Sequence, residues 1–210
     1  MTKGKFSKSF VIFSLLLSLL VSCDKNSSSD DNNNSTVTVA LTVSEEHSLL
    51  FMLEEEKLAR DTYTYLNTKW TNTPFANILG SEQTHMDAIK SLLDANGTAY
   101  TILPAGQFSE AALQNYYNQF IVDGAISLSK ALAIGATIED LDIVDLQKYT
   151  NETTNQSVID VYGKLECGSR NHLRSFYKSI TALSETYSPQ FLTVEAYNSI
   201  VNSASEKCNQ

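Results

Sequence analysis

The stretch SEQTHMDAIKSLL, Ser81 to Leu93, has the three-and-four spacing of an amphipathic helix, yet Glu82 and His85 sit where its apolar stripe should continue. The same intrusion recurs elsewhere. Leu49, Met52, Glu56, Ala59, Tyr63 and Leu66 form a stripe holding one acid, with Glu54 and Glu55 off its line. Leu128, Leu132, Gly135, Glu139, Asp142 and Leu146 hold two acids three apart, and Val158, Tyr162, Leu165, Ser169, His172 and Phe176 hold a serine and a histidine. Carboxylates gathered in an apolar interior are costly unless cations neutralise them. The chemistry indicated is metal binding, with iron or manganese suited to such donors better than copper, and zinc also accepted. A single in-stripe Glu or His reads more simply as a buried residue satisfied by hydrogen bonds. Repetition at similar depth on four segments is what indicates a shared site, with Glu56, Glu82, His85, Glu139, Asp142 and His172 as its ligands.

The elements that must carry these residues are helices. Long three-and-four patterns alternate with short polar breaks, and no sustained two-residue alternation marks a sheet, so the class is all-α. Four long helices are predicted, over about 44–67 with Ser44 as N-cap, from Pro74 to a Gly97 cap, over about 125–149 and over about 156–184. Two short ones are predicted over about 109–122 and after the Thr193 cap. Thr36 to Val43 reads as an extended lead-in. Four long helices with inward stripes fit a four-helix bundle. Tyr63 lies one turn beyond Ala59 on the Glu56 stripe, where it either packs in the core or hydrogen-bonds a ligand carboxylate. Arg170 and Arg174, with Arg60 and Asp61, are placed either to orient ligands or to pair at the surface.

The two ends carry different information. Lys3, Lys5 and Lys8 precede an apolar run from Phe10 to Val21, the layout of a secretory signal and short for a membrane span. The run ends in Leu20-Val21-Ser22-Cys23, which resembles a bacterial lipobox, and that resemblance implies cleavage before Cys23 and its acylation. Residues 1–22 are then a lipoprotein signal peptide. Residues 23–43, opening on DKNSSSDDNNNST, are a tether with too little apolar surface to offset ordering entropy. The expected location is the cell envelope, lipid-anchored to a bacterial membrane and facing the periplasm or the cell surface. Cleavage removes three lysines from a chain of formal charge −9, giving −12, a charge unsuited to nucleic-acid binding. Cys167 and Cys208 then remain as an even pair, either disulfide-bonded or free.

EKLARDTYTYL carries Glu56, Ala59 and Tyr63 at the spacing of the first helix of rubrerythrin-type ferritin-like proteins, and SEQTH carries their Glu-x-x-His. With ATIEDLDIVDL and SRNHLRSFY, the chain from about Glu46 to Val201 resembles an uncharacterised family of ferritin-like domains, often secreted. The resemblance implies a ferritin-like four-helix bundle with two additional short helices over residues 44–210. In such bundles two helices each give a glutamate and two each give Glu-x-x-His to a di-iron or di-manganese centre. By position Glu56 and Glu139 are the single glutamates, and Glu82 with His85 is one complete pair. The second pair departs from the pattern, because Ser169 stands three residues before His172 where a bridging glutamate is expected. Asp142 restores the count of carboxylates, and Glu166 lies one turn before Ser169.

Two functions follow from these readings. One is a lipid-anchored metalloprotein whose metal pair oxidises ferrous iron with oxygen or peroxide. The other is a non-catalytic envelope lipoprotein with a degenerate, metal-free site, acting through a protein partner. A shared fold does not choose between them.

Overall fold

The computed structural model describes residues 40–208. The expected signal peptide, Cys23 and almost all of the tether lie outside the described residues. Six helices and no strand form among the described residues, in the order α1 (Val43–Trp70), α2 (Thr73–Ala95), α3 (Ala111–Gly124), α4 (Leu128–Asn151), α5 (Gln156–Ala182) and α6 (Val194–Val201). None is long and apolar enough to cross a membrane.

Capping chemistry sets where these helices start. Thr42, not Ser44, caps α1: its hydroxyl accepts from Glu45 N while the Glu45 carboxylate accepts from Thr42 N, a reciprocal capping box. Pro74 sits in the first turn of α2, where its missing N–H costs nothing, and Gly97 follows the end of that helix at φ 69°, a conformation glycine adopts freely. Ser127 caps α4, three residues later than predicted, because α3 runs on to Gly124. Trp70 at the end of α1 donates to Gly124 O and fixes that corner. The start of α3 has no side-chain cap of its own, and Glu54 of α1 supplies one by accepting from Ser109 N and Glu110 N.

The four long helices pack in a closed ring, α1 on α2, α2 on α5, α5 on α4 and α4 on α1, while α3 lies on α1 and α4 and α6 on α5. Their stripes bury two apolar clusters. One centres on Tyr63, Phe75 and Phe176, whose rings lie 5.4–6.0 Å apart, with α3 and α6 packed over it. The other centres on Leu49, Met52, Leu53, Ile89 and Tyr162. Gly135 allows Phe176 to lie flat on α4, since a Cβ there would meet the ring at 2.3 Å.

Two buried ionic residues hold the connections. Lys57 donates to Asp61, Pro104 O and Gln107 O, and Asp61 accepts in turn from Gly106 N, so the loop before α3 is clamped to α1. Asp140 of α4 accepts from Tyr187 Oη and from the backbone N–H groups of Gln190, Phe191 and Leu192, anchoring the segment between α5 and α6. Cys167 and Cys208 are joined in a disulfide, and beside it Arg170 and Arg174 both bind Glu206, so the C-terminal tail is tied to α5 by covalent and ionic contacts together.

Candidate metal centre

Between the two apolar clusters the four inward stripes deliver their polar residues to one place. Glu56, Glu82, His85, Glu139 and His172 are each no more than 9 % exposed. They form two groups, Glu56 with Glu82 and His85, and Glu82 with Glu139 and His172, the ligand atoms of each group lying within 4.8 Å of one another. Glu82 belongs to both. Its Oε2 is 3.1 Å from His85 Nδ1 and its Oε1 is 3.0 Å from His172 Nδ1, so one carboxylate spans two imidazoles. Glu56 Oε2 lies 3.1 Å from His85 Nδ1, and Glu139 Oε2 lies 3.3 Å from His172 Nδ1. Each half therefore has one histidine, one carboxylate of its own and a share of Glu82. The two imidazoles stack with centroids 5.6 Å apart.

These buried acidic and histidine groups could hold a metal ion. Although His172 Nδ1 lies close to two carboxylates, it makes a hydrogen bond to neither, and Glu56 Oε1 and Glu82 Oε1 are likewise without hydrogen-bond partners. Buried polar atoms are almost always paired. His85 Nδ1 and Glu56 Oε2 do share a hydrogen bond, and the atoms left unpaired beside them are of the kind a metal ion could engage.

The residues around this set fix its geometry. Tyr63 donates to Glu139 Oε1 at 2.5 Å, holding that carboxylate with its other oxygen toward His172. Gly168 of α5 lets His85 approach, since a Cβ at that position would lie 2.6 Å from its Nε2. Asp142 is buried and accepts from Ser169 Oγ through Oδ2, leaving Oδ1 without a partner. It lies outside the two groups of three, and Ser169 Oγ, whose one hydrogen it shares, also lies 2.9 Å from Leu165 O. Glu166 points elsewhere, pairing with Arg170 at 2.6 Å and accepting from Gln147. Arg174 serves the C-terminal tail through Ile200 O, Ser203 and Glu206, and Arg60 pairs with Asp61 and Gln83.

Residues 45–204 match the family described as "Uncharacterized protein domain (DUF2202)". The chain belongs to this family. It is similar to "Uncharacterized protein MJ0754" of Methanocaldococcus jannaschii, 42% identical over 165 residues that cover 78% of this chain and 89% of that protein. It is similar also to the crystal structure of hypothetical protein MJ0754 from Methanococcus jannaschii DSM 2661, with a TM-score of 0.77 and 41% identity, over 80% of this chain and 97% of that one.

The electrostatics of this family member's centre are those of an acidic interior. Burial would lower His172, but Glu82 and Glu139 outweigh it and push the imidazole up to about 10; His85 is raised in the same way by Glu56 and Glu82. Burial would raise Glu82, but His172 and His85 outweigh it and hold that carboxylate well below its usual range. Burial lifts Glu56 to about 7 against the pull of His85. Glu139 and Asp142 are also raised, chiefly by burial. In the metal-free protein the surrounding carboxylates thus favour the protonated form of both imidazoles.

Several residues here carry no stripe signal. Glu55, off the apolar line of α1, is 1 % exposed, and burial with Asp145 and Glu56 pushes its carboxyl well above the ordinary range. Lys57, Asp61 and Asp140 are equally inaccessible from periodicity. The spacing of Lys57 and Asp61, four apart on one helix, is the one signal that could have found a pair among them.

Proposed function

We propose that the four long helices form a ferritin-like four-helix bundle whose Glu56, Glu82, His85, Glu139 and His172 would hold two iron or manganese ions. The single observation that carries this reading is the sharing of Glu82 by two buried ligand groups of like composition. Glu56 and His85 would hold one ion and Glu139 and His172 the other, and Asp142, with one oxygen unpartnered, would supply the carboxylate that Ser169 does not. Such ions, if bound, would supply redox chemistry in which ferrous iron gives electrons to oxygen or peroxide. The protein's part is to keep both positions in one low-dielectric pocket, to orient Glu139 through Tyr63, and to leave two histidine nitrogens ready to exchange a proton for a metal.

The test is metal analysis of the full chain, purified in detergent without chelator after growth with iron or manganese. About two metals per chain, lost together in the Glu82→Ala, His85→Ala double variant, supports the reading. A metal-free protein whose thermal midpoint ignores added ferrous iron overturns it, because a ligand of the native state must raise stability.

The second reading, a non-catalytic lipoprotein working through a protein partner, draws on Ser169 and on the hydrogen bond that commits one oxygen of Asp142 to it. Under either reading Cys23 is the lipid anchor and the cell envelope is the location. Incorporation of labelled fatty acid, abolished by Cys23→Ala, tests that assignment.

A further inference from the structure

The disulfide of Cys167 and Cys208 lines a cleft of about 380 Å³ together with Asp160, Gly163, Lys164 and Lys207. A small molecule can therefore reach the sulfurs. Gly163, Cys167 and Asn171 stand four apart on α5, so they share one face of the helix on successive turns. The space over Gly163 is open, since a Cβ there would meet nothing within 4 Å. An exposed glycine inside a helix costs stability that most other residues would restore, and here it keeps the approach to Cys167 clear. One turn beyond Cys167, Asn171 Nδ2 donates to Cys208 Sγ at 3.3 Å.

The charge beside the disulfide runs against that of the chain. The formal charge is −9, yet two lysines and one aspartate line this cleft. Among the described residues neither Lys164 nor Lys207 forms an ion pair or a side-chain hydrogen bond, whereas Asp160 accepts from Gln156. Both ammonium groups are left to attract an anion. Nor does the position of the tail depend on the disulfide alone, because Arg170 and Arg174 bind Glu206, and Asn171 accepts from Glu206 N and donates to Glu206 O. These contacts involve neither sulfur, so opening the S–S bond leaves both cysteines placed to close it again.

We propose that Cys167–Cys208 is a thiol-exchange site whose cleft takes a small thiol bearing carboxylates, attracted by Lys164 and Lys207. The thiolate lies over Gly163 and attacks Cys167 Sγ. A bond forms between the incoming sulfur and Cys167, the bond from Cys167 to Cys208 breaks, and Cys208 Sγ leaves with the electron pair as a thiolate stabilised by the Asn171 N–H. A second thiol of the same class attacks the incoming sulfur of this mixed disulfide and releases Cys167. Two small thiols are thereby oxidised to one disulfide, the protein disulfide is reduced, and the protons given up end on Cys167 and Cys208. The site stands whether or not the buried centre holds metal.

The experiment treats the full chain in detergent with mercaptosuccinate, and separately with uncharged mercaptoethanol, at mildly alkaline pH. Samples are quenched with iodoacetamide, and mass spectrometry locates the adduct on the peptides of Cys167 and Cys208. With mercaptosuccinate the rate should saturate with concentration and the first adduct should sit on Cys167. Lys164→Gln, Lys207→Gln should lower the mercaptosuccinate rate about fivefold, the scale of two exposed charge contacts, and leave the mercaptoethanol rate unchanged. Gly163→Leu should slow both thiols by filling the cleft, without lowering the thermal midpoint of the oxidised protein. Rates linear in mercaptosuccinate and indifferent to all three substitutions overturn the site, as does reaction only in denaturant. A first adduct on Cys208 overturns the direction of attack.

Discussion

Ser169 donates its hydroxyl hydrogen to Oδ2 of Asp142, and Oδ1 of the same carboxylate is left without a partner. Serine and aspartate on facing helices thereby occupy the place where one longer acid on α5 is expected. The hydrogen bond fixes the orientation of Asp142, and its unpartnered oxygen is buried near Glu56 and Glu139. Asp142→Asn should therefore weaken metal binding about 10- to 100-fold, the range for groups that complete a metal site, while leaving the thermal midpoint of the metal-free protein no lower than wild type. The opposite signs arise because the same carboxylate stabilises a cation and, without one, burdens an acidic core. Calorimetric titration and a melt of the metal-free form measure the two effects.

Gly168→Ala should impair the site while preserving every ligand. The added methyl would stand 2.6 Å from Nε2 of His85, so the imidazole must tilt and its Nδ1 must leave Glu56 and Glu82. Overpacking of this kind costs about 1–3 kcal/mol. The half of the centre held by Glu56 and His85 should lose affinity, leaving Glu139 and His172 to bind one equivalent. A metal count falling from two toward one is the expected outcome.

The positions along the apolar stripes were legible before any coordinates, because Glu56, Glu82, His85, Glu139 and His172 each replace an expected hydrophobe at a step of three or four. What periodicity could not reach was burial away from the stripe. Glu55 is buried off the stripe, Lys57 is covered by the loop at Pro104 and Gln107, and Asp140 is covered by a segment whose contribution is mainly backbone N–H, which leaves no signature in residue type. The start of α1 was misplaced: Ser44 reads as its N-cap in the sequence, and the reciprocal cap of Thr42 and Glu45 begins the helix before it. The later start of α4 depends on α3 continuing to Gly124, which is a matter of how α3 packs on α1.

Metal binding should release protons. Both histidines are raised, His172 to about 10, which favours protonated rings that a metal must deprotonate to bind. Calorimetry in buffers of different ionisation enthalpy should show net proton release as the site fills, with affinity rising as pH rises from 6 to 8. For the metal-free protein the sign reverses. A folded value above the unfolded 6.5 contributes stability that is complete below 6.5 and is lost as pH rises through about 10. Metal-free samples should therefore lose stability on the alkaline side, and metal-loaded samples should not.

The C-terminal tail offers a test on the acid side. Hydrogen bonds from Arg170 and then from Arg174 hold Glu206 down to about 2 against an ordinary 4.5, so its contribution is complete above 4.5 and is lost as pH falls through about 2. With the disulfide intact this loss has a small effect, because Cys167 and Cys208 still join tail to helix across a sequence separation of 41. Cross-linking a loop of that size stabilises by about 4 kcal/mol in the chain-entropy account. In the Cys167→Ala, Cys208→Ala protein the Glu206 pairs become the tail's main attachment, and its amides should gain hydrogen exchange steeply below pH 4 while those of α1 and α2 stay protected. Equal exchange of the tail in wild type and variant across pH 3 to 7 would show that packing of α6, through Tyr197 and Ile200, holds the tail without either link.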